Sequence, residues 1–325
     1  MAKNTNLTDA KKAKNDEFYT QIEDIEKELN NYKDFFKGKK VLCNCNDGKI
    51  NGAWSAFAQY FSMNFEHLGL KKLICTSFEM DGSHGKVAIY EGDKNGNYIP
   101  DSDEWTTYVL EGNGDFRSAE CVELLKQSDV VVSNPPFSLF RDFVTQLMEY
   151  NKKFLIIGNM NAITYKEIFP LIKDNKIWLG VSIKSGDRKF YVPDNYPLNA
   201  SGCGIDENGK RFIRVKGVRW FTNIEDANCN KPLDLYKKYN PKDYPKYDNY
   251  DAINVNKTSD IPMDYDGVMG VPITFLDKYC PTQFEIVGLT SSSRECTYGQ
   301  LIGNATTRAM IGGKKIYARI LIRRK

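Results

Sequence analysis

The β-branched run Val130-Val131-Val132 ends at Ser133 and is followed at once by Asn134-Pro135-Pro136-Phe137. Two adjacent prolines offer no N–H to a ladder, so a strand reaching them must stop there. The run is continuously apolar rather than alternating, as expected of a strand covered on both faces. Further runs of this kind lie at 41–46, 73–78, 105–110, 154–157 and 177–181. Between them come apolar residues at helical spacing: Ile22, Ile25, Leu29, Tyr32 and Phe36; Trp54, Phe57, Phe61, Phe65 and Leu68; residues 119–127; Leu139, Phe143, Leu147 and Tyr150; and residues 163–172. Strand alternating with helix predicts an α/β fold of Rossmann-like type. Its sheet is mostly parallel, with helices on both faces and functional residues at the carboxyl ends of strands.

Local signals refine this frame. Thr20 and Glu23 have capping-box spacing for the first helix, which Gly38 ends. Asp47-Gly48 supplies a turn after the first strand. Residues 80–104 are rich in Gly, Asp and Asn and predict an inserted hairpin, with one arm at 86–90, the other around Tyr98-Ile99, and Asn95-Gly96 in the turn. From Gly204 the pattern turns antiparallel, with strands at 205–207 and 211–223 joined at Asn208-Gly209. Beyond Glu225 comes a tyrosine-rich stretch carrying Tyr236, Tyr239, Tyr244, Tyr247 and Tyr250 without helical period, read as an extended loop whose tyrosines pack in place, with stacking on nucleic acid as the alternative. A β-like run at 284–289 and a basic one at 313–325 follow; the latter either grips phosphates or is an edge strand kept soluble by charge. These shifts predict a domain over 1–224 and a second region over 225–325.

At 325 residues, 41% hydrophobic and 27% charged, the chain has the composition of a globular protein able to bury a large core. It shows neither an apolar leader nor a stretch long enough to cross a membrane, so a cytoplasmic location is expected. Eight scattered cysteines suit reduced thiols better than a disulfide framework. The close pair Cys43 and Cys45 has no second pair nearby to complete a tetrahedral site, and no metal is expected. The two histidines, His67 and His84, read as surface residues, so imidazole catalysis is poorly supplied. A formal net charge of +3 does not decide the partner.

Chemistry therefore falls to the loop after the valine run. The side-chain oxygen of Asn134 and the carbonyl of Pro135 are two acceptors that can face the hydrogens of one amine, with Pro136 locking the backbone and Phe137 able to stack on a planar ring. Such acceptors draw the lone pair of an aromatic amine toward an incoming methyl group. Transfer from a sulfonium needs in-line placement rather than a strong base.

Asn134-Pro135-Pro136-Phe137 matches the Asp/Asn/Ser-Pro-Pro-Tyr/Phe motif of the adenine-N6 DNA methyltransferases without a gap. With Asp16-Glu17-Phe18-Tyr19-Thr20-Gln21, Cys43-Asn44-Cys45-Asn46-Asp47 and Gly270-Val271-Pro272-Ile273-Thr274-Phe275-Leu276, the chain resembles the EcoRI-type adenine methyltransferase family over nearly its whole length. The resemblance implies a seven-stranded catalytic core of the class I methyltransferase type and a carboxyl-terminal target-recognition region. It implies a site-specific enzyme that moves a methyl group from S-adenosyl-L-methionine to N6 of an adenine flipped out of double-stranded DNA. GAATTC, the palindrome modified by the family's eponymous member, is the first expectation for its target.

The same resemblance places Phe18, Tyr19, Thr20, Asn44, Cys45, Asn46 and Asp47 around the cofactor. Glu79, with Asp81 as a competitor, falls at its ribose, and Asp115 and Phe116 at its adenine. The glycine-rich Asp/Glu-x-x-x-Gly-x-Gly form of the first loop is missing here. DNA contacts are expected from Arg294, Asn304, Arg308, Lys314 and Lys315. A restriction endonuclease without stable complex formation, monomeric action, or service as an orphan or phage modifier are all compatible. Related sites also methylate RNA adenine or protein glutamine, and a non-catalytic DNA-binding relative is the rival from another class.

Overall fold

The structure is a computed structural model, and it describes residues 18–44, 55–79, 82–194, 196–199, 201–225, 231–291 and 307–325. Trp54, Asp81, the cofactor candidates Cys45, Asn46 and Asp47, and the DNA candidates Arg294 and Asn304 lie outside the described residues. The chain divides into two compact units, one drawn from Met1–Met160 and Gly180–Ile224, the other from Asn161–Leu179 and Glu225–Lys325.

In the first unit, strands β1 (Lys40–Cys43), β2 (Lys72–Thr76), β3 (Lys86–Tyr90), β4 (Trp105–Val109), β5 (Val130–Ser133) and β6 (Lys153–Asn159) form one sheet with a later strand, Val218–Thr222. The order is β4-β3-β2-β1-β5-β6 and then Val218–Thr222. Its centre, β2-β1-β5-β6, is parallel, and the flanking strands are antiparallel. All four residues of β5 are buried, which explains the unbroken valines. Helices α1 (Ile22–Leu29), α2 (Ala56–Met63), α3 (Phe65–Leu68), α4 (Ala119–Gln127) and α5 (Phe140–Glu149) belong to the same unit. Ser55 and Ser118 cap α2 and α4 through their side chains, accepting from the Ala58 and Cys121 N–H groups.

Several local expectations are corrected. The first helix is capped at Gln21 without a side-chain bond, so Thr20 and Glu23 form no capping box; the Thr20 hydroxyl is engaged elsewhere. That helix stops at Leu29, and Phe36 reaches the core from a separate 3-10 turn, Lys33–Phe36. The helix expected over 163–172 is a 3-10 turn, Met160–Thr164, followed by the short helix α6 (Phe169–Lys173).

The second hairpin arm is absent, because β3 pairs instead with β2 and β4. Residues around Tyr98 are a loop closed on Asp93, whose carboxylate accepts the N–H groups of Asn95, Gly96 and Tyr98 at 3.1, 2.7 and 2.6 Å. N–H groups satisfied by a side chain have no need of a ladder.

After the two-residue β7 (Trp178–Leu179) of the second unit, the first unit resumes with β8 (Asp187–Tyr191), β9 (Gly204–Ile205), β10 (Arg211–Lys216) and β11 (Val218–Thr222). Asn208-Gly209 turns β9 into β10, and β8-β10-β9 make a small antiparallel sheet. The expected strand over 211–223 is split at Gly217, whose φ of +75° lies in the left-handed region that glycine tolerates, so β10 and β11 serve different sheets.

The second unit carries a sheet in the order β12 (Ile253–Asn254), β13 (Met269–Pro272), β17 (Arg319–Arg324), β14 (Phe284–Thr290), and a hairpin of β15 (Met310–Ile311) and β16 (Lys314–Lys315). The basic carboxyl-terminal strand is therefore not an edge: β17 pairs with β13 on one side and β14 on the other, with Ile320, Leu321 and Ile322 buried. Tyr244, Tyr247 and Tyr250 of the tyrosine-rich stretch are buried, while Tyr236 is exposed. The Tyr247 hydroxyl donates to Asn254 Oδ1 at 3.0 Å, and burial pushes that phenol well above its usual range.

Candidate active site

The parallel register brings the carboxyl ends of β1, β2 and β5 to one end of the sheet: Cys43 lies opposite Cys75, and Leu42 opposite Val131. The Ser133 hydroxyl donates to the Asn44 carbonyl and ties the two chain exits together. Cys43, fully buried beside Cys75, has its thiol pushed up by burial, which suits a packing residue rather than a nucleophile.

Asn134 follows directly. Its Nδ2 donates to the Phe18 carbonyl at 2.6 Å and to the Thr20 hydroxyl at 3.1 Å, which leaves Oδ1 as the face of the amide able to accept. Pro135 is buried, and the Pro136 carbonyl accepts from the Leu139 N–H at 2.9 Å, closing the turn that leads into α5. Phe137 is half-buried, and its ring meets Phe18 edge-on at 5.6 Å between centroids. Phe18 in turn packs on Phe190 at 5.8 Å and Tyr196 at 6.3 Å. Behind the four-residue motif thus stands an aromatic cluster drawn from two distant parts of the sequence. No spacing rule in the sequence announces Phe190 or Tyr196.

The expected cofactor residues fall into two groups. Asn44 follows β1 directly with its side chain almost fully buried, and its Oδ1 has no hydrogen-bond partner among the described residues. Glu79, also buried, follows β2; its carboxylate accepts from the Ser77 hydroxyl at 3.2 Å, and its N–H donates to the Asn113 carbonyl at 2.8 Å. The second contact stitches the loop after β2 to the loop after β4. Gly114 is essential to that approach: a Cβ there would stand 1.9 Å from the Ser77 carbonyl oxygen.

Asp115 is committed differently. Arg117 grips it with both arms, Nε to Oδ1 at 2.9 Å and Nη2 to Oδ2 at 2.6 Å, and this guanidinium holds the carboxyl below its ordinary value. Phe116 is buried against Phe143, with centroids 5.0 Å apart, as a core residue. The Asp-x-Arg spacing was the available signal for the Arg117 grip.

Of the DNA candidates among the described residues, Arg308, Lys314 and Lys315 are exposed in the second unit.

The chain matches the family described as adenine-specific methyltransferase EcoRI over residues 6–325. It belongs to that family. It is 48% identical over 335 residues to the Type II methyltransferase M.EcoRI of Escherichia coli, covering 100% of this chain and 98% of that protein. It is 42% identical over 326 residues to the Type II methyltransferase M.MgeORF184P of Mycoplasma genitalium, covering 97% and 98%. A third relative, the Type II methyltransferase M.MpnI of Mycoplasma pneumoniae, is 41% identical over 326 residues, covering 97% of each. No solved structure matches the chain. As a member of the EcoRI methyltransferase family the protein is an adenine-specific methyltransferase, in keeping with the Asn-Pro-Pro-Phe loop at the end of β5.

Proposed function

We propose that the chain transfers a methyl group from S-adenosyl-L-methionine to N6 of an adenine flipped out of duplex DNA, with GAATTC as the first target to test. The observation that carries this reading is the Asn134 amide, whose nitrogen is held by Phe18 and Thr20 so that Oδ1 is the acceptor presented beside Phe137. Asn134 Oδ1 and the Pro135 carbonyl accept the two hydrogens of the amine, and Phe137 stacks on the base. Flipping costs about a few kcal/mol, and stacking on an aromatic ring returns ~1–3 kcal/mol.

The described residues suit the methyl donor. A buried acceptor lacking a donor costs ~1–3 kcal/mol, and a ligand carrying N–H groups, such as the ammonium of a methionine moiety, would satisfy Asn44 Oδ1. Glu79, just after β2, is our candidate acceptor for the ribose hydroxyls, in keeping with the use of strand ends in such folds. Asp115 reaches a ligand only in competition with Arg117. When bound, S-adenosyl-L-methionine supplies an electrophilic methyl group on a sulfonium; this chain's residues orient the amine that receives it and exclude water.

The second region, 225–325, is assigned to target recognition, with Lys314 and Lys315 offered to phosphates. Monomeric action in the cytoplasm, alone or beside a restriction endonuclease, completes the proposal. No helix among the described residues is long and apolar enough to cross a membrane.

The test is incubation with radiolabelled S-adenosyl-L-methionine and, separately, duplex DNA with or without GAATTC, RNA, and protein lysate. Label in N6-methyladenine of DNA is expected. Label confined to RNA or protein would transfer the reading to those substrates, and cofactor binding without any transfer would leave a DNA-binding relative.

A further inference from the structure

An asparagine amide that must accept from an amine has a problem of its own: rotated by half a turn, it presents two donors instead. Only its surroundings decide between the two orientations. The surroundings here are not neutral. A backbone carbonyl can only accept, so the Phe18 oxygen, 2.6 Å from Nδ2, excludes the flipped amide, which would set oxygen against oxygen. The second Nδ2 hydrogen goes to the Thr20 hydroxyl at 3.1 Å, so both amide hydrogens are used.

The segment bearing these two acceptors is itself fixed. Tyr19 and Tyr191 exchange both backbone bonds, N–H to carbonyl at 2.9 and 3.1 Å, as a hydrogen-bonded antiparallel pair does. In extended chain successive carbonyls point to opposite edges, so if Tyr19 faces β8, the Phe18 carbonyl must face away from it, toward Asn134. The Phe18 side chain is buried among Phe190, Tyr196 and Phe137, and Thr20 is buried as well. Anchored on both edges, the segment has little freedom to follow the amide if it turned.

We propose that Phe18-Tyr19-Thr20 is an amide clamp for methyl transfer, in which the Phe18 carbonyl and the Thr20 hydroxyl hold Asn134 with Oδ1 toward the substrate amine. This deepens the functional reading and rests on it, since it assumes that the amine of adenine is what Oδ1 accepts from. Thr20 is then a positioning residue acting through Asn134, beyond any lining of the cofactor pocket. Phe18 contributes through its backbone, and its ring supports the Phe137 platform.

The experiment compares wild type, Thr20→Val, Thr20→Ala and Thr20→Ser. Thr20→Val keeps the shape and removes the acceptor. Single-turnover methylation of adenine should fall about five- to tenfold in Thr20→Val, with the dissociation constant for S-adenosyl-L-methionine and the fluorescence of 2-aminopurine placed at the target each held within about twofold. Thr20→Ser should restore the rate. A readout independent of turnover is hydrogen exchange of the Asn134 side-chain amide by NMR, the resonance being assigned by its loss in Asn134→Asp. Exchange should be slow in wild type and Thr20→Ser and at least several-fold faster in Thr20→Val and Thr20→Ala, so either variant suffices if the other fails to fold.

Unchanged transfer rate and unchanged amide exchange in the folded variants would overturn the clamp. A loss confined to S-adenosyl-L-methionine affinity would overturn it too, leaving Thr20 as a cofactor contact. A wild type that methylates no adenine would overturn the functional reading instead, and the amide exchange would still decide whether the clamp exists.

Discussion

The loops around Asn134 and Asp115 both leave the core with a polar side chain at the lip of the sheet, and both side chains are gripped, but with opposite results. Asn134 is held by its nitrogen, so the grip leaves its oxygen to accept. Asp115 is held by both of its oxygens, so the grip occupies most of the acceptor capacity a ligand would need. The partners differ in reach as well. Phe18 is 116 positions from Asn134 and Arg117 only 2 from Asp115, so the first contact exists only in the folded chain, whereas the second is available to a short peptide. A long-range grip on one half of an amide orients a group for use. A local grip on the whole of a carboxylate shapes a turn.

The sharpest way to break this contrast is Asn134→Ala. Removing a preorganised group that acts on developing charge costs about 10²–10³-fold in turnover, and that loss is expected here in a single-turnover methylation assay. S-adenosyl-L-methionine affinity by calorimetry should stay within about twofold. Turnover kept within tenfold would take Asn134 out of the chemistry and make its grip as merely structural as that of Asp115. A smaller effect is expected from Phe137→Ala, at roughly ten- to a hundredfold in methylation efficiency, from the ~1–3 kcal/mol of a base–aromatic stack. It should appear as weakened retention of the flipped base, seen as reduced 2-aminopurine fluorescence, and Phe137→Tyr should be nearly silent. Full fluorescence in Phe137→Ala would move the stacking role to another ring.

The contrast also marks what the sequence could tell. The valine run and its prolines located the end of β5, and the alternation of runs located the parallel centre, because burial on both faces leaves a periodic trace in one dimension. The grip on Asn134 leaves none: Thr20 looked like a helix cap, since a threonine three positions before a glutamate has that meaning in isolation, and only the fold shows its hydroxyl turned to Asn134. Tyr98-Ile99 looked like a hairpin arm because an Asn-Gly turn precedes it, yet Asp93 captures the N–H groups that a ladder would have used. The last basic run was read as a possible edge strand. Charge alternating with apolar residues is equally compatible with β17 in the middle of its sheet, since side chains record which face is buried, whereas the strands that lie alongside are set by the backbone ladder.

Arg117→Met tests the Asp115 half of the comparison. Arg117 is half exposed, at 50%, and Asp115 is 28% exposed, so screening limits the pair to roughly 0–1 kcal/mol. Without the guanidinium Asp115 keeps the backbone N–H of residue 117 on Oδ1, at 2.9 Å, while the rest of its acceptor capacity is released, and S-adenosyl-L-methionine affinity should shift by less than about threefold. Asp115→Asn should do as little. If Asp115→Asn alone weakened the cofactor more than tenfold, the carboxylate would serve the ligand in spite of the arginine, and the two loops would be alike.

The smallest expected effect is on stability against pH, and its sign follows from the pair. Arg117 lowers the Asp115 pKa from 3.8, so the folded chain holds the ionised form more readily than the unfolded chain does. The pair's stabilisation is therefore fully present above about pH 4 and is lost as pH falls through the lowered folded value. Thermal unfolding of wild type and Arg117→Met should differ by a degree or two near pH 7, in keeping with ~0–1 kcal/mol, and the two curves should converge on acidification below about pH 4. Added salt at pH 7 should narrow the same gap, because a half-exposed pair is screened. A gap that persisted undiminished in acid would mean that Arg117 stabilises the loop through its stacking over the Phe116 ring, 5.3 Å away, rather than through Asp115.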